Sequence, residues 1–361
     1  MGPGLIQLEI AREIRYNKGI TTNHSGKVNC LSEQSKTVSY GGQAVIEGVM
    51  FGGKHVNVTA VRRKNQEITF LEVPREDKPW VGKLRKIPFL RGIVSIIDAS
   101  AKGTKHLNYS AESYADDEVE PEERAKQKQK EESGWSLGMI IGVAAVGVLS
   151  FLVGKLVLTL VPVFLENFIF GKMFDNYILH NLIEGGIKLL LLLVYLWGIS
   201  QTPVIKRLFQ YHGAEHKVIS TYEAGEELTV ANVQKHSRLH YRCGSSFMML
   251  TIVLGVLIYS LVPWDNMTQR VLQRIILLPV VIAISFEFLK LTNALRDVPV
   301  LRYLGYPGLW LQLLTTKEPK DDQVEVSIAS FNRMLELDAQ MEKAPGAEQP
   351  VRNGVLDPLK G

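Results

Sequence analysis

Cysteine is almost missing from this chain of 361 residues: Cys30 and Cys243 are the two, and no CxxC pair exists. That excludes a disulfide-built scaffold, a thioredoxin-like redox site and a zinc knuckle, and makes free thiols in a reducing compartment the expectation. An excess of one charge sign is missing too. Lys and Arg number 41 against 37 Asp and Glu, a formal +4, which is too little to argue for nucleic acid. With 30 glycines and 15 prolines the chain is neither collagenous nor disordered in composition. The first twenty residues have no long apolar stretch and no small-residue cleavage pattern, so they do not read as a secretory signal.

What is abundant is uninterrupted apolar sequence. Residues 133–154 and 243–264 each run 22 positions without a charged side chain. Four stretches are long enough to cross a bilayer: about 136–160, 186–203, 245–262 and 271–289, the last bracketed by Arg274 and Glu287. A helix rises 1.5 Å per residue, so roughly 20 residues span a hydrocarbon core of about 30 Å. Basic residues flank these stretches unevenly. Arg124, Lys126, Lys128 and Lys130 precede the first; Lys206, Arg207, Lys217, Lys235, Arg238 and Arg242 lie between the second and third; Lys290, Arg296 and Arg302 follow the fourth. By contrast, 161–185 holds only Lys172 and 263–270 only Arg270. The positive-inside bias then predicts a multi-pass cell-membrane protein with both termini and the central loop cytoplasmic.

The expected architecture is an α-helical polytopic membrane protein of about four spans with a small cytoplasmic β-rich domain and interfacial or re-entrant helices. Its parts are an N-terminal extension (1–36), the β-rich domain (37–78), an interfacial helix and charged linker (79–135), the transmembrane bundle with a cytoplasmic loop at 204–244 (136–292), a membrane-proximal segment (293–330) and a helical or disordered tail (331–361). Period-two alternation in HVNVTAV and ITFLEV, around the charged turn RRKNQE, predicts a β-hairpin, and QAVIEGVM between two glycine pairs predicts a third strand. Segments 84–109 and 298–314 mix basic, aromatic and short apolar character and suit helices resting at the membrane interface.

The central loop carries the chemistry. In YHGAEHK, His212, Glu215 and His216 share one helical face, the H-x-x-E-H order of inverted zincins. Two imidazoles at that spacing can hold zinc, and Glu215 would then be the base acting on metal-bound water. A third ligand is needed. Glu287, a carboxylate near the inner end of an apolar helix, fits by order, and His240 is its rival; Cys243, His236 and Glu223 lie on the same side. The same histidines read equally as packed, hydrogen-bonded side chains of a basic membrane-proximal helix, and Glu287 as half of a charge pair with Lys290. Arg242, Arg238 and Lys217 suit either anion binding or the positive collar. Glu47, set among glycines and apolar residues, needs a partner.

GGQAVIEGVM, YHGAEHK, SRLHYRCGSSF and PGLWLQLLTTKEPKDDQVEVSIA, in that order over about residues 38–331, resemble the YqhQ-like family of uncharacterised bacterial membrane proteins. The resemblance implies a multi-pass protein whose functional core contains Glu47, His212, Glu215, His216, His240, Arg242 and Cys243, and a metal dependence suggested by the histidines. Tyr241 stands where the family usually has proline. Three functions follow as expectations: a scaffold or membrane-protein assembly accessory with lipids and another membrane protein as partners and no nucleic acid; a membrane-embedded metal-dependent hydrolase acting on peptide or lipid-linked substrates; and a small transporter.

Overall fold

The computed structural model describes residues 40–75, 79–118, 157, 159–295, 298–343 and 352–355. The expectations for 1–36 and for most of the first apolar run, 136–160, fall outside these residues.

Strands β1 (Gly41–Val45), β2 (Gly48–Gly52), β3 (Val56–Arg62), β4 (Ile68–Pro74) and β5 (Arg352–Val355) form one antiparallel sheet in chain order. The hairpin expected from HVNVTAV and ITFLEV is β3–β4, with Val58 opposite Glu72. QAVIEGVM is not one strand. It folds back at Ile46–Glu47, so that Val45 pairs with Gly48, and Glu47 takes the left-handed backbone at φ 54 that makes this two-residue turn possible.

Helices α1 (Pro79–Leu84) and α2 (Leu90–Glu118) follow the sheet. Side chains on β3 alternate, yet nearly all of them are buried, because the strand is covered on both faces. On one face the Thr59 hydroxyl meets His106 of α2, Oγ1 to Nδ1 2.6 Å. On the other, Val56, Val58 and Ala60 join Val49, Phe51 and Phe70 in a core completed by two distant helices. These are α5 (Pro203–Glu223), contributing Tyr211, Ala214 and Val218, and α10 (Asp321–Lys343), contributing Val324, Phe331, Met334 and Leu337. The domain boundary expected at 331 therefore cuts through a helix at the centre of this core. Its apolar stripe at 324, 331, 334 and 337 has helical spacing, and it buries against the sheet instead of trailing as a tail. Asp338 of α10 also accepts from the amides of Lys54, His55 and Val56 (2.7, 2.8 and 3.3 Å), locking the β2–β3 turn onto the helix.

The apolar sequence forms α3 (Thr159–Phe170), α4 (Tyr177–Ile199), α7 (Gly244–Ser260) and α8 (Met267–Ala294), with α7 packed between α4 and α8. Among the described residues two of these, α4 and α8, are long and apolar enough to cross a membrane, while α3 and α7 are shorter. A core helix of a water-soluble protein would be mostly covered, but only 17% of the apolar window of α4 and 22% of that of α8 is buried. Leu190, Val194, Trp197, Leu272 and Ile276 point outward. Between bundle and sheet lie α6 (Val230–Lys235) and α9 (Tyr306–Thr315), the latter preceded by a 3₁₀ turn at Leu301–Gly305. α9 packs against α7 closely: a Cβ at Gly308 would stand 2.4 Å from Ser246 Oγ.

Candidate functional site

The central loop of the sequence is mostly one helix. Pro203 sits at the start of α5, where its missing N–H costs nothing, and the helix runs through YHGAEHK, turning His212, Glu215 and His216 to one side. Opposite them lies Cys243, the N-cap residue of α7, whose sulfur accepts from Ser245 N at 3.4 Å. The ligand atoms of His212, His216 and Cys243 all lie within 4.8 Å of one another, and His212 Nε2 is 3.2 Å from Cys243 Sγ. The two imidazoles meet edge to face with ring centroids 4.5 Å apart.

The far side of each ring is what orients it. His212 Nδ1 donates to the Thr315 carbonyl (2.8 Å) and His216 Nδ1 to the Arg238 carbonyl (2.6 Å). A carbonyl only accepts, so both Nδ1 atoms carry hydrogen, and both Nε2 atoms turn toward the same sulfur. Metal-bound histidines are held in this way, their second N–H fixed by a carbonyl or carboxylate. A divalent ion bound there would take both imidazole lone pairs and the thiolate sulfur together.

Electrostatics inside the cluster are strong. Burial pushes the Cys243 thiol up, but the neighbouring charges of His212 and His216 and hydrogen bonds from both rings hold it well below the usual thiol range. Burial alone would lower His212; the Cys243 sulfur beside it, with Glu215 and the Thr315 carbonyl, pushes it up to about 9. Glu215 is 5% exposed, and burial raises its carboxyl against the opposing pull of His212 and His216. The sheet makes room for this carboxyl, because a Cβ on Gly42 would come 3.1 Å from Glu215 Cδ.

The remaining expected residues fall into three groups. Cys243 is the third side chain able to bind a metal that the fold brings to the pair, and neither candidate expected for that place reaches it. His240 lies near, its ring 5.7 Å from that of His216, but its Nδ1 accepts from Arg242 N at 3.3 Å and its Nε2 faces Glu223 at 3.8 Å. Glu287 is drawn away altogether. Arg91 grips both of its oxygens and the Phe89 amide adds a third bond at 3.2 Å, so the carboxylate serves to fasten α2 to α8. Arg242 pairs with Glu223. Glu47 finds the partner it required: Arg207 binds it through two nitrogens and the Tyr211 hydroxyl lies at 3.3 Å, joining the β1–β2 turn to α5.

Gln312 carries no sequence signal of its own, and Arg238, expected to bind an anion or join the positive collar, acts here through its backbone. Gln312 brackets His240, accepting from its amide and donating to its carbonyl, each at 2.8 Å. Arg238 places its carbonyl for His216 because its own guanidinium is buried on Thr316, 2.7 Å to the carbonyl and 2.8 Å to Oγ1. Backbone carbonyls belong to every residue type, so their use is invisible before the fold is known.

Comparison with known proteins agrees with the motifs. The family model described as "Protein of unknown function (DUF1385)" matches residues 87–337. The chain is 56% identical over 313 residues to the uncharacterized protein YqhQ of Bacillus subtilis (strain 168), a match covering 87% of this chain and 97% of that protein. No solved structure matches.

Proposed function

Since the chain belongs to the DUF1385 family of proteins of unknown function, its activity must be argued from its own atoms, and we propose that it is a membrane-embedded, metal-dependent hydrolase. His212, His216 and Cys243 would hold a divalent ion, with zinc the expected occupant, since two imidazoles and a thiolate are borderline-soft donors. The observation that carries this reading is the pairing of each histidine: both Nδ1–H groups are committed to backbone carbonyls while both Nε2 atoms converge on one sulfur.

A bound ion would supply a water of lowered pKa and polarise a carbonyl. The chain's own contribution is Glu215. It sits beside the cluster, is nearly dry, and has a raised carboxyl, which suits a group that must take up a proton and hand it on. Arg207, Glu47 and Tyr211 hold the same stretch of α5 against the sheet, and Arg238 and Gln312 hold the opposing wall.

The location proposed is the cytoplasmic face of a bundle of about four spans, in which the apolar run at 136–160 joins α4, α7 and α8. It is supported by the outward-facing apolar surfaces of α4 and α8 and by the basic residues gathered on the side of α5. Exposed Val300, Leu301, Tyr303, Leu304 and Trp310, beside Arg302, support contact of the 298–310 stretch with lipid headgroups. Substrates reaching a site there would be peptide or lipid-linked carbonyl compounds.

The assembly-accessory reading keeps one observation: the cluster draws together α5, the start of α7 and the end of α9, so a metal there could serve as a clamp alone. Elemental analysis of the purified chain separates the two. The wild type should carry about one zinc per chain, lost in His216→Ala and Cys243→Ala. Glu215→Gln should retain the zinc and fail to complement a deletion strain. Unchanged metal content in the two ligand variants refutes the metal site, and full complementation by Glu215→Gln leaves the clamp.

A further inference from the structure

A second polar cluster lies inside the apolar bundle, at the end opposite the histidine–cysteine site. His180 and Glu184 occupy the first two turns of α4, Glu166 belongs to α3, and Arg270 and Arg274 open α8. α5, with His212, begins beyond the other end of α4, which at 23 residues is about 34 Å long. Arg270, Arg274 and Glu166 are completely buried, and His180 and Glu184 nearly so. Arg270 joins Glu166 (2.6 Å) to Glu184 (2.8 Å), and Arg274 binds Glu184 through Nε and Nη2 (2.9 and 2.7 Å) and reaches Asn181 and Gln273. Two guanidiniums thus balance two carboxylates. The Trp264 and Tyr259 rings cover the two guanidiniums at 4.7 and 4.2 Å.

His180 is the fifth member, and it does not fit that balance. Its Nδ1 lies 2.6 Å from Glu166 Oε1 and its Nε2 2.9 Å from the Phe174 carbonyl. The carbonyl cannot donate, so Nε2 carries a hydrogen. The short contact at Nδ1 then needs a hydrogen as well, held either by the ring as imidazolium or by Glu166 as a carboxylic acid. Both descriptions contain one proton beyond what the arginine–carboxylate pairs require. We infer that His180 and Glu166 together form a proton-binding site buried in the bundle, which in its loaded state gives the cluster a net charge of +1. Releasing the proton would leave one ring nitrogen lone pair facing an oxygen, that of Glu166 or that of the Phe174 carbonyl, so unloading requires one of these two contacts to open. This inference stands apart from the metal reading and shares none of its residues.

The test is ¹⁵N NMR of the full-length chain, labelled at histidine, in lipid nanodiscs at neutral pH, with an infrared spectrum of the same sample. His180 is assigned by its loss in His180→Gln or, if that chain does not fold, by its contacts with the Phe174 and Trp264 rings. The expected result is two protonated ring nitrogens, or one protonated nitrogen together with a carboxylic-acid carbonyl band that disappears in Glu166→Gln. In Glu166→Gln the histidine should become neutral, its Nδ1 accepting from the new amide. A singly protonated His180 in the wild type without any Glu166 acid band overturns the proposal.

Discussion

Gly213 lies between the two histidines of α5, and replacing it with alanine sets helix propensity against packing. In an exposed helix the exchange is favourable by about 1 kcal/mol. Here the added Cβ would stand 2.2 Å from the Lys317 carbonyl oxygen and 3.3 Å from its carbon. Neither side can give easily. Lys317 N is bonded to the Phe209 carbonyl at 2.8 Å, and the preceding Thr316 is fully buried with its amide on Gln312. Forcing backbone from backbone by about 1 Å belongs near the upper end of overpacking costs, ~2–3 kcal/mol. The net effect of Gly213→Ala should be a loss of ~1–2 kcal/mol after the propensity gain. The displaced stretch also carries the Thr315 carbonyl that orients His212, so zinc affinity should fall by roughly 10- to 100-fold. Thermal unfolding in detergent and competition with a chromophoric chelator measure the two effects. Gly186→Ala, whose Cβ would meet nothing within 4 Å, is the control and should be neutral or stabilised. A Gly213→Ala protein as stable as the wild type, with unchanged zinc affinity, would refute the close approach of α5 to the 315–317 stretch.

Three further outcomes are expected. Because His212 in the metal-free chain is pushed up to about 9, zinc must displace a proton at neutral pH; apparent affinity should fall about tenfold for each pH unit lost per proton displaced, and a flat profile from pH 8 to 6 would contradict this. Burial, with a smaller push from Lys105, lowers His106 to about 4; folded protein therefore binds fewer protons than unfolded between pH 6.5 and 4, so stability present above 6.5 drains away as pH falls through that window, by at most about 3 kcal/mol. Denaturant titrations across that range should show the slope, reduced in His106→Gln. Asp338→Ala strips three amides of the β2–β3 turn of their acceptor and should cost ~2–3 kcal/mol. Lys54→Met, which removes only the solvent-exposed pair with Glu342, should leave the melting temperature almost unmoved, and equal effects would argue against the Asp338 cap.

Much of this protein was legible before folding was considered. Period-two alternation marked β3 and β4 because one residue in two must face a core, and helical spacing placed His212, Glu215 and His216 on one side of α5. The long apolar runs announced helices whose outer surfaces stay apolar, since their composition leaves no polar face to show to water. Other choices had no local signature. Cys243, and not Glu287 or His240, meets the histidines, because α7 begins where α5 passes, while Arg91 and Glu223 claim the two rivals. Glu47 turned a strand into a hairpin through a single backbone angle. The helix at 321–343 entered the core because a sheet of small strands needed a second apolar face, and a partner nearly three hundred residues away supplied it. The glycine of YHGAEHK, unremarkable as a letter, admits a carbonyl from residue 317. Sequence periodicity determines which side of an element is apolar or reactive, since that depends on near neighbours along the chain. Which atoms complete a site depends on where separate elements cross, and that is decided only when all of them bury their apolar faces together.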